Sequence, residues 1–286
     1  MAMNPKLLRP RSTIHPEAAA WANRVRANSG SVSGTTLNAV SKFCVAIQQA
    51  NIRDRFYRLN LFCGTADASL IAVRTPLYRG QSLGGTQFGN TLDTNINFAI
   101  TDYAENSGLT GDGTSKYLNT GFNVDQLPVA ANCHLSSYIR GTQNIASVRA
   151  LIGAIFSGVT DRYRLMLRAD GSSAGNYTAA TELGKSLFLN AVQRPNANGG
   201  LLVSSRTSTT SLTLYDDGVS IGTASDSTAE TTGAFPFFVF ARTGPTEYYN
   251  GIMAGYSIGA GMSQSQVTSY YNAMNAFQAA LGRAQA

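Results

Sequence analysis

From residue 96 onward the chain is a succession of short apolar or alternating runs, each closed by turn residues, and no other feature limits its fold as strongly. The runs are Ile96–Ile100, Tyr117–Phe122, His134–Arg140, Leu151–Phe156, Tyr163–Leu167, Ser186–Val192, Gly200–Ser204, Ser211–Tyr215, Val219–Ile221, Phe237–Ala241 and Ile252–Ile258. Many short strands separated by turn signals predict an antiparallel sandwich or jelly roll. The run Tyr163–Arg168 alternates and places Arg164 and Arg168 on one face. Leu212–Tyr215, then Asp216-Asp217-Gly218, then Val219–Ile221 spells a hairpin, because Asp-Gly supplies the positive-φ positions of a tight turn.

The first third has a different texture. Residues 1–15 form a basic arm punctuated by proline, with Lys6, Arg9 and Arg11 as its charges. It has little to bury and is expected to order against a partner. His15-Pro16-Glu17 opens a helix, since proline in the first turn costs no hydrogen bond and an early glutamate suits the dipole. Asn28-Ser29-Gly30 closes it. A second helix starts near 33–36, with Leu37, Val40, Phe43, Cys44 and Ile47 on one face, and ends before Asn51. Residues 52–80 are expected as a short helix and irregular packing segments. The Gly-, Thr- and Asn-rich stretch 81–95 is expected as a loop or linker. This divides the chain into an arm (1–15), a helical N-terminal segment (16–80), a linker (81–95) and a β-sandwich (96–286). A helix closes the sandwich: Ser263 and Gln266 make a capping box, and Val267, Tyr270, Tyr271, Met274, Phe277 and Leu281 form its apolar face.

Composition narrows the partners. Charged residues are 13% of the chain, about half the usual quarter. The formal net charge is +6, but the basic residues are scattered, which points to a solvated surface rather than nucleic-acid binding. Cys44, Cys63 and Cys133 stand singly with no CxxC, so neither a zinc pattern nor a disulfide framework is expected, and buried thiols in a reducing environment are. No apolar run is long enough for a membrane span, and no signal peptide is expected.

The sequence offers little for catalysis. A glycosidase of this fold class needs two carboxylates on one strand, one to protonate the leaving oxygen and one to attack or activate water. Glu17, Glu105, Glu182, Glu230 and Glu247 are isolated, and Asp102 with Glu105 is the nearest to a pair. Asp112, Asp216 and Asp217 are explained by turns without calcium, and no metal or other cofactor is expected. His134 and Cys133 are neighbours in a strand and point to opposite faces, so they cannot act together. The paired tyrosines Tyr248-Tyr249 and Tyr270-Tyr271 suggest one buried and one outward ring each. Tyr248, Tyr249 and Tyr215 are the candidate glycan contacts.

Several segments resemble, in order, the laminin-G-like, concanavalin-type jelly rolls. Gly108–Gly121, with its Gly-Asp-Gly and Tyr-Leu-Asn-Thr-Gly, is similar to their opening strand, Cys133–Arg140 to the next, and Leu212–Ile221 to their hairpin. Phe237–Arg242, Tyr249–Ile258 and Met262–Val267 resemble the closing strand, Gly-kinked strand and capped helix. The likeness spans about residues 95–285. With the segment Ala19-Ala-Trp-Ala-Asn-Arg-Val25 in front, the whole resembles structural proteins of tailed bacteriophages and prophages. That resemblance implies a non-enzymatic virion protein made in the host cytoplasm. It would be a tail fibre, tip or adhesin component displaying a lectin-like jelly roll, with capsid decoration or a free carbohydrate-binding lectin as alternatives. It also implies other virion proteins and a host surface glycan as partners, docking on the particle through the helical segment 16–80 and the arm with Lys6, Arg9 and Arg11, and a homo-oligomer, a trimer by analogy.

Overall fold

The computed structural model describes residues 14–141, 147–155, 162–169, 177–184, 188–193, 199–225 and 232–283. In chain order the first elements are α1 (Pro16–Ala27), α2 (Gly34–Gln49), β1 (Phe56–Asn60), α3 (Ile71–Arg74), β2 (Thr94–Ile96), β3 (Tyr103–Ala104) and β4 (Gly108–Thr110). There follow β5 (Tyr117–Asn123), β6 (Cys133–Arg140), β7 (Arg149–Ile155), β8 (Arg162–Ala169), β9 (Tyr177–Gly184), β10 (Phe188–Gln193) and β11 (Gly199–Ser208). The chain closes with β12 (Ser211–Asp216), β13 (Val219–Ala224), β14 (Pro236–Val239), β15 (Ile252–Gly259) and α4 (Gln264–Ala280).

The strands form two antiparallel sheets. One has eight strands in the order β13-β12-β11-β6-β15-β4-β3, with β1 also paired to β15; the other has seven in the order β10-β9-β8-β7-β14-β5-β2. Leu118, Phe122, Leu151, Tyr163, Leu165, Leu202, Phe237, Val239 and Met253 fill the space between them. A second apolar layer lies on the outer face of the eight-stranded sheet, where Tyr138, Leu201, Val203 and Ala254 meet Trp21 and Val25 of α1, Phe43 of α2 and Tyr270 and Phe277 of α4. Phe43 and Phe277 meet edge to face at 5.9 Å. Each such side chain contributes roughly 1.5–3 kcal/mol by leaving water.

Local chemistry accounts for the helix ends. Ser263 and Gln266 form the expected capping box of α4, and the Ser33 side chain caps α2 through the Thr36 amide at 3.0 Å. At the end of α1 the left-handed residue is Ser29, with φ 69°, not Gly30. Gly30 is needed for space instead: a Cβ there would lie 2.7 Å from Ile71 and 2.8 Å from Val25. The hairpin between β12 and β13 turns as expected, with φ 49° at Asp217 and 82° at Gly218.

Two expectations need correction. Residues 56–60 are a strand, because Phe56, Arg58, Leu59 and Asn60 pair with Gly259, Ile258, Ser257 and Tyr256. The N-terminal segment therefore supplies part of the sheet, and the faces of α1 and α2 are used within the chain. The stretch 81–95, expected as a loop or linker, is a loop as far as Asp93, which anchors it. Asp93 is fully buried and accepts from Arg58 (Nη2 at 2.5 Å), Tyr256 (Oη at 2.8 Å) and Asn60 (Nδ2 at 2.8 Å). The packing thus crosses the boundary expected at 80–95. Where a strand was expected over Ile96–Ile100, the chain ends β2 at Ile96 and makes a 3-10 turn at Ile100–Asp102.

A sheet face without helices as candidate functional site

The apolar faces of α1, α2 and α4 all meet the eight-stranded sheet, which leaves the outer face of the seven-stranded sheet without a helical cover among the described residues. Strand register brings one row of residues across that face: Thr94, Asn119, Phe238, Gly153, Arg164 and Glu182 are successive cross-strand partners. Their chain neighbours Leu118, Phe237, Val239, Ile152, Tyr163, Leu165 and Leu183 point into the sandwich, as the period of two requires.

At the centre of the row Arg164 joins two glutamates distant in sequence. Its Nε donates to Glu182 in a short contact, and its Nη1 donates to Glu247 at 2.9 and 3.0 Å. Arg162 reaches Glu182 at 3.5 Å, and Arg242 reaches Glu247 at 3.2 Å. Burial alone would lower the Arg164 value. Hydrogen bonds and charge from Glu182, then Glu247, outweigh burial and raise it above the ordinary guanidinium range. The result is a ladder of three arginines and two glutamates in which all four carboxylate oxygens face guanidinium nitrogens.

Glu247 reaches this position on a tight return of the chain after β14. Phe240 and Glu247 both have left-handed backbones, φ 70° and 54°, a conformation that costs a residue with a Cβ about 1–2 kcal/mol. Main-chain bonds hold it: Phe240 donates to Leu151 O (2.9 Å), Tyr249 to Phe240 O (2.8 Å) and Ala150 to Glu247 O (2.7 Å). Gly153 lets this segment lie on the sheet, since a Cβ there would come within 2.8 Å of the Arg242 Cβ.

Beside the ladder lies an aromatic group. The Tyr117 ring is 4.7 Å from Phe238 and 6.2 Å from Tyr248. Arg149 donates to the Tyr248 carbonyl at 2.8 Å and fixes the backbone there. Tyr117 and Tyr248 are half-buried, and Phe238 is nearly covered.

The structure sorts the residues singled out in the sequence. Tyr248 is on this face. Tyr249, expected as a second glycan contact, is fully buried with its ring 6.0 Å from Phe240, because the next residue in an extended chain points the other way. Tyr215, also expected as a contact, packs in the layer beneath α4 and presents no ring face to a ligand. Lys6, Arg9 and Arg11 lie outside the described residues. Asp102 pairs with Lys116 at 2.7 Å, while the Glu105 carboxylate accepts from Thr36, so they are held by separate partners. Asp112 accepts the amides of Thr114, Ser115 and Lys116 and the Ser115 hydroxyl. Slight burial opposes these bonds, which hold its carboxyl well below the ordinary range; this is the chemistry of a turn.

Two other clusters have packing explanations. His134 Nδ1 donates to Ala260 O (2.7 Å) and its Nε2 accepts from Ser257 Oγ (2.8 Å), fully buried under the helices, while Cys133 faces the sandwich core. His15, Glu17 and Cys44 bring three potential metal-ligand atoms within 4.8 Å. Yet Glu17 is paired with Arg53 at 2.6 Å, His15 meets Gln48 at 2.8 Å, and burial pushes the Cys44 thiol up to about 12. A thiol must lose its proton to bind a metal, so this donor set fits packing rather than an ion.

The chain matches no protein-family model and no curated protein sequence. Solved structures do resemble it. The receptor-binding domain of botulinum neurotoxin C/D mosaic serotype aligns with a TM-score of 0.50 at 13% identity, covering 77% of this chain and 52% of that one. Trypanosoma rangeli sialidase aligns at 0.48 with 9% identity, over 82% of this chain and 39% of that one. Domain 4 of the arabinanase AbnA from Geobacillus stearothermophilus aligns at 0.41 with 16% identity, over 64% and 85%. The chain spans 27% of the sialidase NanB, which it also resembles. At such identities the likeness is one of fold. The class so defined is the two-sheet antiparallel β-sandwich, here with helices packed on one sheet.

Proposed function

We propose that the chain is a non-catalytic glycan-binding module and that the part of the seven-stranded sheet around Tyr117 and Tyr248 is its contact surface. The observation that carries this reading is the juxtaposition of the Tyr117–Phe238–Tyr248 rings with the Arg164 ladder. An aromatic ring offers an apolar face with a polar tip, which suits the C–H side of a sugar, and planar guanidinium and carboxylate groups fix orientation beside it. Catalysis by Glu182 and Glu247 is the poorer reading, because a glycosidase needs one carboxyl free to donate a proton and another free to attack, and arginines engage both residues.

The particle setting is a further part of the proposal and rests on the N-terminal resemblance. There the module would be a tail fibre, tip or adhesin component, or a capsid decoration protein, assembled as a homo-oligomer; a free lectin is the alternative. Its presence in purified particles would support the virion role, and its exclusion from them would oppose it.

A glycan array probed with the full chain tests the binding reading. The expected result is selective retention of a small set of glycans by the wild type and its loss in Tyr117→Ala. Equal retention by both would overturn the assignment of the face.

A further inference from the structure

A second polar site lies at the other end of the N-terminal segment. Glu17 and Arg24 from α1, Arg53 after α2, and Tyr78, Arg79 and the Gly80–Gln87 loop line a cleft of ≈ 260 Å³. That is below the 300–1,000 Å³ typical of larger ligands and suits a small one. Three guanidiniums face one carboxylate, and that carboxylate is already taken by Arg53.

The arginines are held in place by the chain itself. Arg53 lies 3.7 Å over the Tyr78 ring and donates to Gly80 O at 2.8 Å. Arg24 donates to Pro76 O and Leu77 O, both at 2.9 Å, and Arg79 donates to Gly89 O at 2.8 Å. These carbonyls occupy terminal nitrogens and leave others without an acceptor. The Nε atoms of Arg24 and Arg79 are buried and have no hydrogen-bond partner among the described residues. A buried donor left unsatisfied costs about 1–3 kcal/mol, more when charged. Burial, then the charge of Arg79, pulls the Arg24 value down to about 10 against the opposing pull of Glu17. The two guanidiniums therefore share a region short of negative charge.

An oxyanion in the cleft suits this excess of positive charge. Its oxygens accept from fixed guanidinium forks, with bonds stronger than neutral ones, and its charge offsets the excess of arginine. The loop that forms the outer wall is built for close approach: a Cβ on Gly80 would lie 2.2 Å from Thr86 O, and Gly84 is left-handed at φ 81°. Gln87 adds an exposed amide to the same wall.

We infer that this cleft binds a small phosphate- or carboxylate-bearing ligand between Arg24 and Arg79. The site is separate from the outer face of the seven-stranded sheet and does not rest on the glycan reading. Calorimetric titration of the full chain with inorganic phosphate and with succinate, at ionic strength matched by sodium chloride, tests it. Saturable binding of one probe is expected, weakened at least tenfold in Arg79→Gln and in Gln87→Glu. Gln87→Glu puts a negative charge in the cleft from an exposed position, so it remains informative should Arg79→Gln fold poorly. Tighter binding of phosphate would name a phosphorylated ligand, and tighter binding of succinate a carboxylate. No saturable binding of either probe, or binding unchanged in Gln87→Glu, would overturn the inference.

Discussion

The two outer faces of the sandwich dispose of their polar groups in opposite ways. On β6 every residue from Cys133 to Ile139 is buried, because helices cover one side and the second sheet covers the other. On β5, next to the edge of the other sheet, buried and half-buried residues alternate, while the central strands β7 and β8 are half-buried only at their ends. Under the helices the polar side chains are neutral and close on one another: His134 meets Ser257, Ser257 meets Ser136 at 2.6 Å, and Ser136 meets Tyr270 at 3.2 Å. On the outer face of the seven-stranded sheet the polar groups are charged and paired, with Arg164 and Glu182 nearly covered and Glu247 more open. Satisfied neutral polar groups let a sheet face accept a helical cover; the other face, proposed as the contact surface, keeps its charges paired beside aromatic rings.

The largest expected effect comes from the buried Arg58–Asp93 pair, which ties β1 to the 81–95 stretch. Replacing Arg58 by methionine leaves Asp93 buried with its countercharge gone, and such losses run to about 3–5 kcal/mol. Denaturant unfolding of Arg58→Met is expected to show a loss of that size. A loss under about 1 kcal/mol would mean that β1 and the 81–93 loop are held by apolar packing alone.

His134 sharpens the contrast through pH. Burial first, then Arg55, lowers its value from 6.5 to about 4, against the pull of the Ala260 carbonyl. The folded protein therefore keeps the ring neutral while the unfolded chain protonates below about 6.5. Its contribution is fully present above pH 6.5 and is lost as pH falls toward about 4, amounting to about 3 kcal/mol over that window. Stability measured from pH 7 to 4 should fall more steeply in the wild type than in His134→Gln. Parallel slopes would place the acid sensitivity elsewhere.

A smaller effect is expected on the outer face of the seven-stranded sheet. Arg164→Gln removes the bridge between Glu182 and Glu247, but water partly reaches the ladder and screens it. The expected cost is about 1–2 kcal/mol, between the exposed and buried limits, with glycan retention lost. Retained binding in this variant would detach the ladder from the contact surface.

How much of this was legible in the sequence depended on how local the signal was. The hairpin at Asp217-Gly218, the capped α4 and the helices α1 and α2 are written in adjacent residues. β1 was hidden because its five residues are buried on both faces and show no alternation. β9 was hidden because Ala179-Ala180 and Glu182-Leu183-Gly184 dilute its aromatic and β-branched residues, Tyr177, Thr178 and Thr181. That second omission concealed the ladder, since Glu182 lies in β9 and Glu247 enters from the turn after β14. Only cross-strand register places them on one arginine. Of the tyrosines, alternation anticipated that Tyr248 and Tyr249 would part, but not which ring faced outward, nor that Tyr117 would join it.

The account stands most directly on where a bound glycan perturbs the protein. Amide chemical-shift mapping of the full chain, titrated with a glycan selected on the array, reports this residue by residue. The account predicts shifts concentrated at Tyr117, Phe238, Arg164, Glu182 and residues 242–248, absent in Tyr248→Ala. Shifts concentrated on α1, α2 or α4, with the seven-stranded sheet unmoved, would contradict it.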